Sequence, residues 1–253
     1  TFENVTLSRS HQNNFIIIEA SKISNYSIQV SDFRINSNNS YNSSFLSRQT
    51  YRFKESIDNK ITFTGNNFYD GSFQIREQYD QVIFNRSKFI NTTIRTSGFY
   101  QNTSNNNLTV SNSLIVHNQS DYVDIFRIES SSRIYLYNVS IVSNNDRIAY
   151  FDSGYKTNIN FSNTTVQSEL PDSGNYFNLS SNDSNSFASS IANSNLFLKE
   201  TPADRYLIYN NMRSGFDASS NYWGEIDTGK LPKLVYDFND NPTASLGAVD
   251  LTT

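Results

Sequence analysis

Few residues in this chain could carry chemistry. His11 and His117 are its two histidines, Cys is absent, and a single Trp stands at position 223. Asp121 with Asp124, and Asp237 with Asp240, form short acidic pairs that resemble half a calcium site, since calcium gathers six to eight oxygens from carboxylates and carbonyls. Acidic pairs in loops are more often simply solvated. Hydrolysis of a glycosidic bond needs two carboxylates a fixed distance apart. Elimination needs a Lys or Arg base beside carboxylate-held calcium. No such grouping is legible, nor is Cys/His metal spacing, a Gly-rich phosphate loop or a Gly-x-Ser-x-Gly elbow. His117 follows Ile115 and Val116 in a strand-like run, so a surface or turn position is expected for it rather than catalysis.

The remaining chemistry is modification. Fourteen Asn-x-Ser/Thr acceptors occur. Eight of them, Asn25, Asn42, Asn91, Asn102, Asn107, Asn118, Asn178 and Asn182, fall where loops are expected and are the candidate N-glycan carriers. Covalent glycans are the only prosthetic groups anticipated, with no cofactor and no metal. The setting this implies is secreted or cell-surface.

Composition narrows the elements that could hold these residues. Apolar residues make up 36% and charged residues 17%, both low, while Asn alone accounts for 36 positions. Such polarity would suit disorder, but 19 Phe and 16 Tyr, with abundant Ile and Val, are strand formers. Nine Gly and four Pro are too few for a collagen-like or linker-like chain. A net charge of −4 without a basic run argues against nucleic acid. No apolar run reaches the length of a membrane helix, so no membrane insertion is expected. Thr1 is not a natural start and reads as a processed or cut N-terminus.

One pattern recurs along the chain: apolar, any, apolar, four residues, apolar. Its copies include Ile28, Val30, Ile35; Ile61, Phe63, Phe68; Val82, Phe84, Phe89; Leu108, Val110, Ile115; Ile134, Leu136, Ile141; and Ile159, Phe161, Val166. Weaker copies are Ser189, Ile191, Leu196 and Phe216, Ala218, Trp223. The central positions, 2, 30, 63, 84, 110, 136, 161, 191 and 218, are separated by 28, 33, 21, 26, 26, 25, 30 and 27 residues. Residues two apart on a strand share a face, so the first two apolar residues point inward and the third begins the next strand past a bend. The second residue of the four-residue gap is Asn in five of nine copies: Asn4, Asn112, Asn138, Asn163 and Asn193. Asn tolerates left-handed backbone at a bend. Stacked turn on turn, these residues are expected to form a buried amide ladder, leaving the acceptors Asn4, Asn138 and Asn163 unmodified. The outward column between the first two apolar positions, Gln29, Thr62, Ile83, Thr109, Tyr135, Asn160, Ser190 and Asp217, holds one charge and no regular Thr file of the kind ice binding needs. A β-sandwich would show turn signals every 8 to 12 residues and more Gly and Pro. The pattern favours an all-β, right-handed parallel β-helix of about nine coils over residues 1–223, with a capping segment over 224–253.

The C-terminal stretch, FDASSNYWG followed by EIDTGKLPKLVYDFNDNPTASLGAVDL, resembles the closing segment of parallel β-helix repeat proteins of the pectin-lyase-like class. Asn221, Tyr222, Trp223, Gly224, Asp227, Val235, Tyr236, Asp237, Phe238 and Gly247 carry the resemblance. It implies the fold and an extracellular setting. It does not imply activity, because the class mixes polysaccharide enzymes, adhesins and passive surface proteins. The Asp-Asp and His-Gly pairs of its polygalacturonase-like members are absent here. Trp223 is read as a plug over the last coil, with Lys230 to Leu251 folding back over it, rather than as a sugar-stacking residue. The leading expectation is a non-catalytic, glycosylated structural rod of a coat, stalk or filament, partnered by itself or by neighbouring subunits. The alternatives are a carbohydrate-binding adhesin module and a polysaccharide lyase or hydrolase.

Overall fold

A computed structural model describes residues 6–9, 27–31, 34–37, 43–48, 60–65, 67–76, 81–97, 106–118, 124–129, 132–144, 147–151, 157–169, 174–180, 189–199, 201–202, 205–237, 239–241 and 247–252. Asn4, His11, Asn25, Asn42, Asn102, Asp121 and Asn182 lie outside the described residues.

The chain winds as an all-β solenoid of parallel strands. Among the described residues nine strands stack as one sheet, the first face: Ser27–Ser31, Lys60–Thr64, Gln81–Asn85, Asn106–Ser111, Ser132–Tyr137, Thr157–Ser162, Ser189–Ala192, Phe216–Asp217 and Val249–Asp250. A 14-stranded sheet bends around the rest of the circuit and supplies a second and a third face. The circuits are not nine equal copies. Four consecutive ones are regular, each with three separate strands. The first of these runs through Asn106–Ser111, Leu114–His117 and Asp124–Glu129, and the last through Ser189–Ala192, Asn195–Leu198 and Ile208–Asn211. In the two circuits before them the second and third strands fuse into the single strands Asn67–Arg76 and Lys88–Ser97. At the C-terminal end the strands shrink to two residues.

The repeat maps onto this winding residue by residue. Phe63, Phe84, Val110, Leu136, Phe161, Ile191 and Ala218 form one file on the inside of the first face, all buried. Phe68, Phe89, Ile115, Ile141, Val166, Leu196 and Trp223 form the matching file of the second face. Ile94, Phe126, Ala149, Phe177, Ile208 and Val235 line the third. Each fully buried Phe, Leu or Ile contributes roughly 1.5–3 kcal/mol relative to exposure, and aromatic stacking adds to it. Phe63 stacks on Phe84 at 4.9 Å, and Phe68 on Phe89 at 5.0 Å, with edge contacts between the two pairs.

The bend between the first and second faces is where sequence expectation and structure part in an instructive way. Gly65, Arg86, Asn112, Asn138, Asn163, Asn193 and Ser220 all adopt positive φ, between 50 and 73°. That column is the one the repeat marked. Yet Asn112, Asn138, Asn163 and Asn193 are exposed, not buried. The left-handed residue turns its side chain out of the coil and sends its successor inward. The amide ladder exists on that outer surface: Asn138 Nδ2 donates to Asn112 Oδ1 at 2.8 Å, and Asn112 Nδ2 donates to Asn85 Oδ1 at 2.9 Å.

The buried ladder is one residue further on, at Ser87 and Ser113 and again at Thr164, Ser194 and Asn221, interrupted by the apolar Val139. Ser87 N–H donates to Ser113 Oγ at 3.0 Å, Thr164 N–H to Ser194 Oγ at 3.2 Å, and Ser194 N–H to Asn221 Oδ1 at 2.9 Å. Each hydroxyl in turn donates to the carbonyl two residues before it, as from Ser113 to Ser111 and from Ser194 to Ala192. The left-handed bend diverts the backbone, and a side chain from the next circuit satisfies the displaced N–H, as buried polar groups require.

Part of the segment expected to fold back as a cap continues the coil instead. A 3-10 helix over Thr228–Leu234 buries Leu231 and Leu234. Val235–Tyr236 then pairs with Ile208–Asn211, and Val249–Asp250 with Phe216–Asp217, both in parallel register. Trp223 is 2% exposed and sits at its inward position in the second-face file.

Candidate functional site

The main charged cluster among the described residues stands on the third face. Arg95, Arg127, Tyr150, Asn178, Tyr209 and Tyr236 occupy one outward column, a rung apart. Asp124, on the same strand as Arg127, is buried and paired to Arg147 Nε at 2.6 Å and to Arg127 at 3.8 Å. Glu129 accepts from Arg127 at 2.6 Å and also pairs with Arg95. The Asp124 carboxylate is therefore committed to two guanidiniums, which removes it from the half calcium site suggested by its sequence neighbourhood. Asp237 is committed as well. It is buried and accepts from the N–H groups of Val249 at 2.7 Å and Asn239 at 2.8 Å, while Asp240 accepts from Asp237 N–H at 3.0 Å. This pair ties the last strand down. No group of three or more His, Asp or Glu placed to hold a metal ion occurs among the described residues.

The tyrosines of the third face are occupied on their ring faces. Tyr209 and Tyr236 stack at 4.7 Å with 13° between planes, and Tyr206 flanks both. The guanidinium of Arg147 sits 4.2 Å over the Tyr150 ring, and that of Arg127 5.7 Å. Burial, then the neighbouring Tyr236 and Tyr206, hold the Tyr209 phenol above the usual tyrosine range.

His117 corrects its expectation. It is 1% exposed and points inward, in a file with Ser143 and Ser168, because its strand position has the same parity as Ile115. The glycan candidates divide. Asn118 is exposed just beyond its strand, as expected. Asn91, Asn107 and Asn178 lie within strands rather than loops. Asn91 is left-handed, and its Oδ1 accepts from Asn118 N–H at 2.9 Å. Asn178 sits half-buried between Tyr150 and Tyr209. Asn163, expected to be enclosed, is open to solvent.

A feature that sequence reasoning missed lies on the outside of the second face. Phe197 and Tyr222 are 45% and 55% exposed and meet edge to face, with centroids 5.6 Å apart and planes at 69°. Register puts exposed Gln167 one rung before Phe197, and exposed Asn195 one rung before Tyr222. Gly224 is left-handed (φ 64°), and a Cβ there would come within 3.3 Å of Phe197 Cα and 3.5 Å of its ring. The Phe197 ring thus uses room that a side chain would fill. Glu169 and Lys199, at 3.6 Å, neutralise each other beside it. The signal available in the sequence was parity: if Trp223 faces inward, Tyr222 and Gly224 face out.

No family model, no curated protein and no solved structure matches the chain.

Proposed function

We propose that this chain is a non-catalytic structural protein: a stiff β-helical rod of an extracellular coat, stalk or filament, N-glycosylated and akin to the pectin-lyase-like class. The observation that carries this reading is the unbroken interior. Three files of buried side chains run from Phe63 and Phe68 to Ala218 and Trp223, backed by a hydroxyl and amide ladder that ties circuit to circuit. His117 is spent on packing, and Asp124 and Arg147 on an ion pair. Nine rungs at about 4.8 Å give a rod on the order of 40 Å long. Neighbouring copies are the expected partners, end to end or side by side. Electron micrographs of native material test this directly: rods or strings of rods support it, and compact isotropic particles contradict it. Intact mass before and after glycosidase treatment tests the glycans, and an unchanged mass removes that part.

A second reading, a carbohydrate-binding module, is favoured by one observation, the open aromatic pair Phe197 and Tyr222. Enriched aromatic surface without charge is the usual material of recognition patches.

A further inference from the structure

We infer that the corner formed by Phe197 and Tyr222 is a binding subsite for an uncharged pyranose unit of a glycan. The inference rests on the binding-module reading and names its site and ligand class.

Among the described residues Tyr135, Tyr137, Phe197 and Tyr222 are exposed, the first two along one strand of the first face and the last two as a touching pair on the second. Tyr209, Tyr236 and Tyr150 cover their rings with one another or with guanidiniums, so the tyrosine-rich third face is satisfied within itself. Trp223 is enclosed. Phe197 and Tyr222 are different. Their planes meet at 69°, so one ring forms a floor and the other a wall, and both remain about half exposed. Gly224 brings its backbone against the same corner: at that left-handed position a Cβ would press the Leu196 carbonyl and the Phe197 Cα at 3.3 Å and touch the Phe197 ring at 3.5 Å.

A pyranose has one face of C–H groups and a rim of hydroxyls. The C–H face fits an open aromatic floor, and the rim needs donors and acceptors beside it. Gln167 and Asn195 each offer an amide one rung, about 4.8 Å, away, and each amide both donates and accepts. Glu169 and Lys199, two residues along from Gln167 and Phe197, are a mutually neutralised pair at 3.6 Å, and the exposed Glu225 that follows Gly224 adds negative charge. That selects against a uronate or a sulfated sugar, which would need an unpaired cation. Because the subsite is open along the coil axis, its ligand is one unit of a longer chain rather than an enclosed monosaccharide.

The test is calorimetric titration of the whole protein with cellohexaose, maltohexaose, mannohexaose and chitohexaose, with hexagalacturonate as the charged comparator. At least one neutral hexamer binds and hexagalacturonate does not. Tyr222→Ala and Phe197→Ala each weaken that binding by about tenfold, Gln167→Ala and Asn195→Ala by about threefold, and Tyr209→Ala leaves it unchanged. All five side chains lie outside the core, so circular dichroism should confirm an intact coil in each variant. If a neutral hexamer binds but neither aromatic substitution weakens it, the subsite is wrong while the binding-module reading stands. If hexagalacturonate alone binds, the neutral-sugar subsite is overturned while the binding-module reading stands; if no hexamer binds, both are overturned.

Discussion

The inside and the outside of the same bend hold similar polar groups with different consequences. Outside, Asn112 and Asn138 exchange a 2.8 Å amide bond in full contact with water. Inside, one residue later, Ser113, Ser194 and Asn221 accept from the backbone N–H groups of Ser87, Thr164 and Ser194, which no water reaches. A hydrogen bond competing with solvent contributes little net, whereas a buried donor left without a partner costs the full desolvation penalty. At this bend the coil is therefore held in register from within, by small hydroxyls and the Asn221 amide. The visible asparagine ladder decorates it.

Substitutions break or sharpen that contrast in order of size. Asn221→Ala should be the most damaging. It removes the acceptor for Ser194 N–H and two bonds from its Nδ2, to the carbonyls of Ala218 and Ile191. A loss of about 3 kcal/mol is expected in urea denaturation. Ser113→Ala strands one buried N–H, that of Ser87, and should cost about 1–2 kcal/mol by the same assay. Asn138→Gly, which removes the exposed amide and keeps the left-handed bend (φ 54°), should fall within about 0.5 kcal/mol of the parent. Equal effects of Asn138→Gly and Asn221→Ala would erase the distinction.

The third face provides a pH counterpart. The Tyr209 phenol is raised by burial and by Tyr236 and Tyr206, so the folded state disfavours its phenolate. A group whose folded pKa lies above its unfolded value stabilises below the unfolded value and loses that contribution as pH rises through the folded one. Stability should be level up to about pH 10 and decline beyond it. In Tyr209→Phe the decline should be shallower, as followed by thermal melts across alkaline buffers.

Much of this architecture was legible before any coordinates. The apolar triplet with its four-residue gap located both strands and the bend, because an inward file recurs on every circuit and the bend demands positive φ. What could not be read was which of two adjacent polar residues enters the interior. Asn112 and Ser113 are both plausible bend residues, and the answer depends on how a left-handed residue reorients Cβ. The third face was harder, since the chain between second and third strands varies from nothing, in Lys88–Ser97, to the stretch between Leu198 and Ile208. His117 was misplaced because its strand was read as ending in a turn rather than continuing its alternation. The Phe197 and Tyr222 corner was out of reach for another reason. Its members are far apart in sequence, and only the register of neighbouring circuits brings them together.

That register is the central claim, and the absence of cysteine makes it directly measurable. Thr109 and Tyr135 are partners on adjacent rungs, and Thr109 and Asn160 are two rungs apart. A disulfide needs Cα atoms about 4.4–6.8 Å apart, which one rung satisfies and two do not. Under mild oxidation the pair Thr109→Cys with Tyr135→Cys should close an intramolecular bond, and Thr109→Cys with Asn160→Cys should remain reduced. No closure in the first pair, or equal closure in both, would contradict the stacked coil.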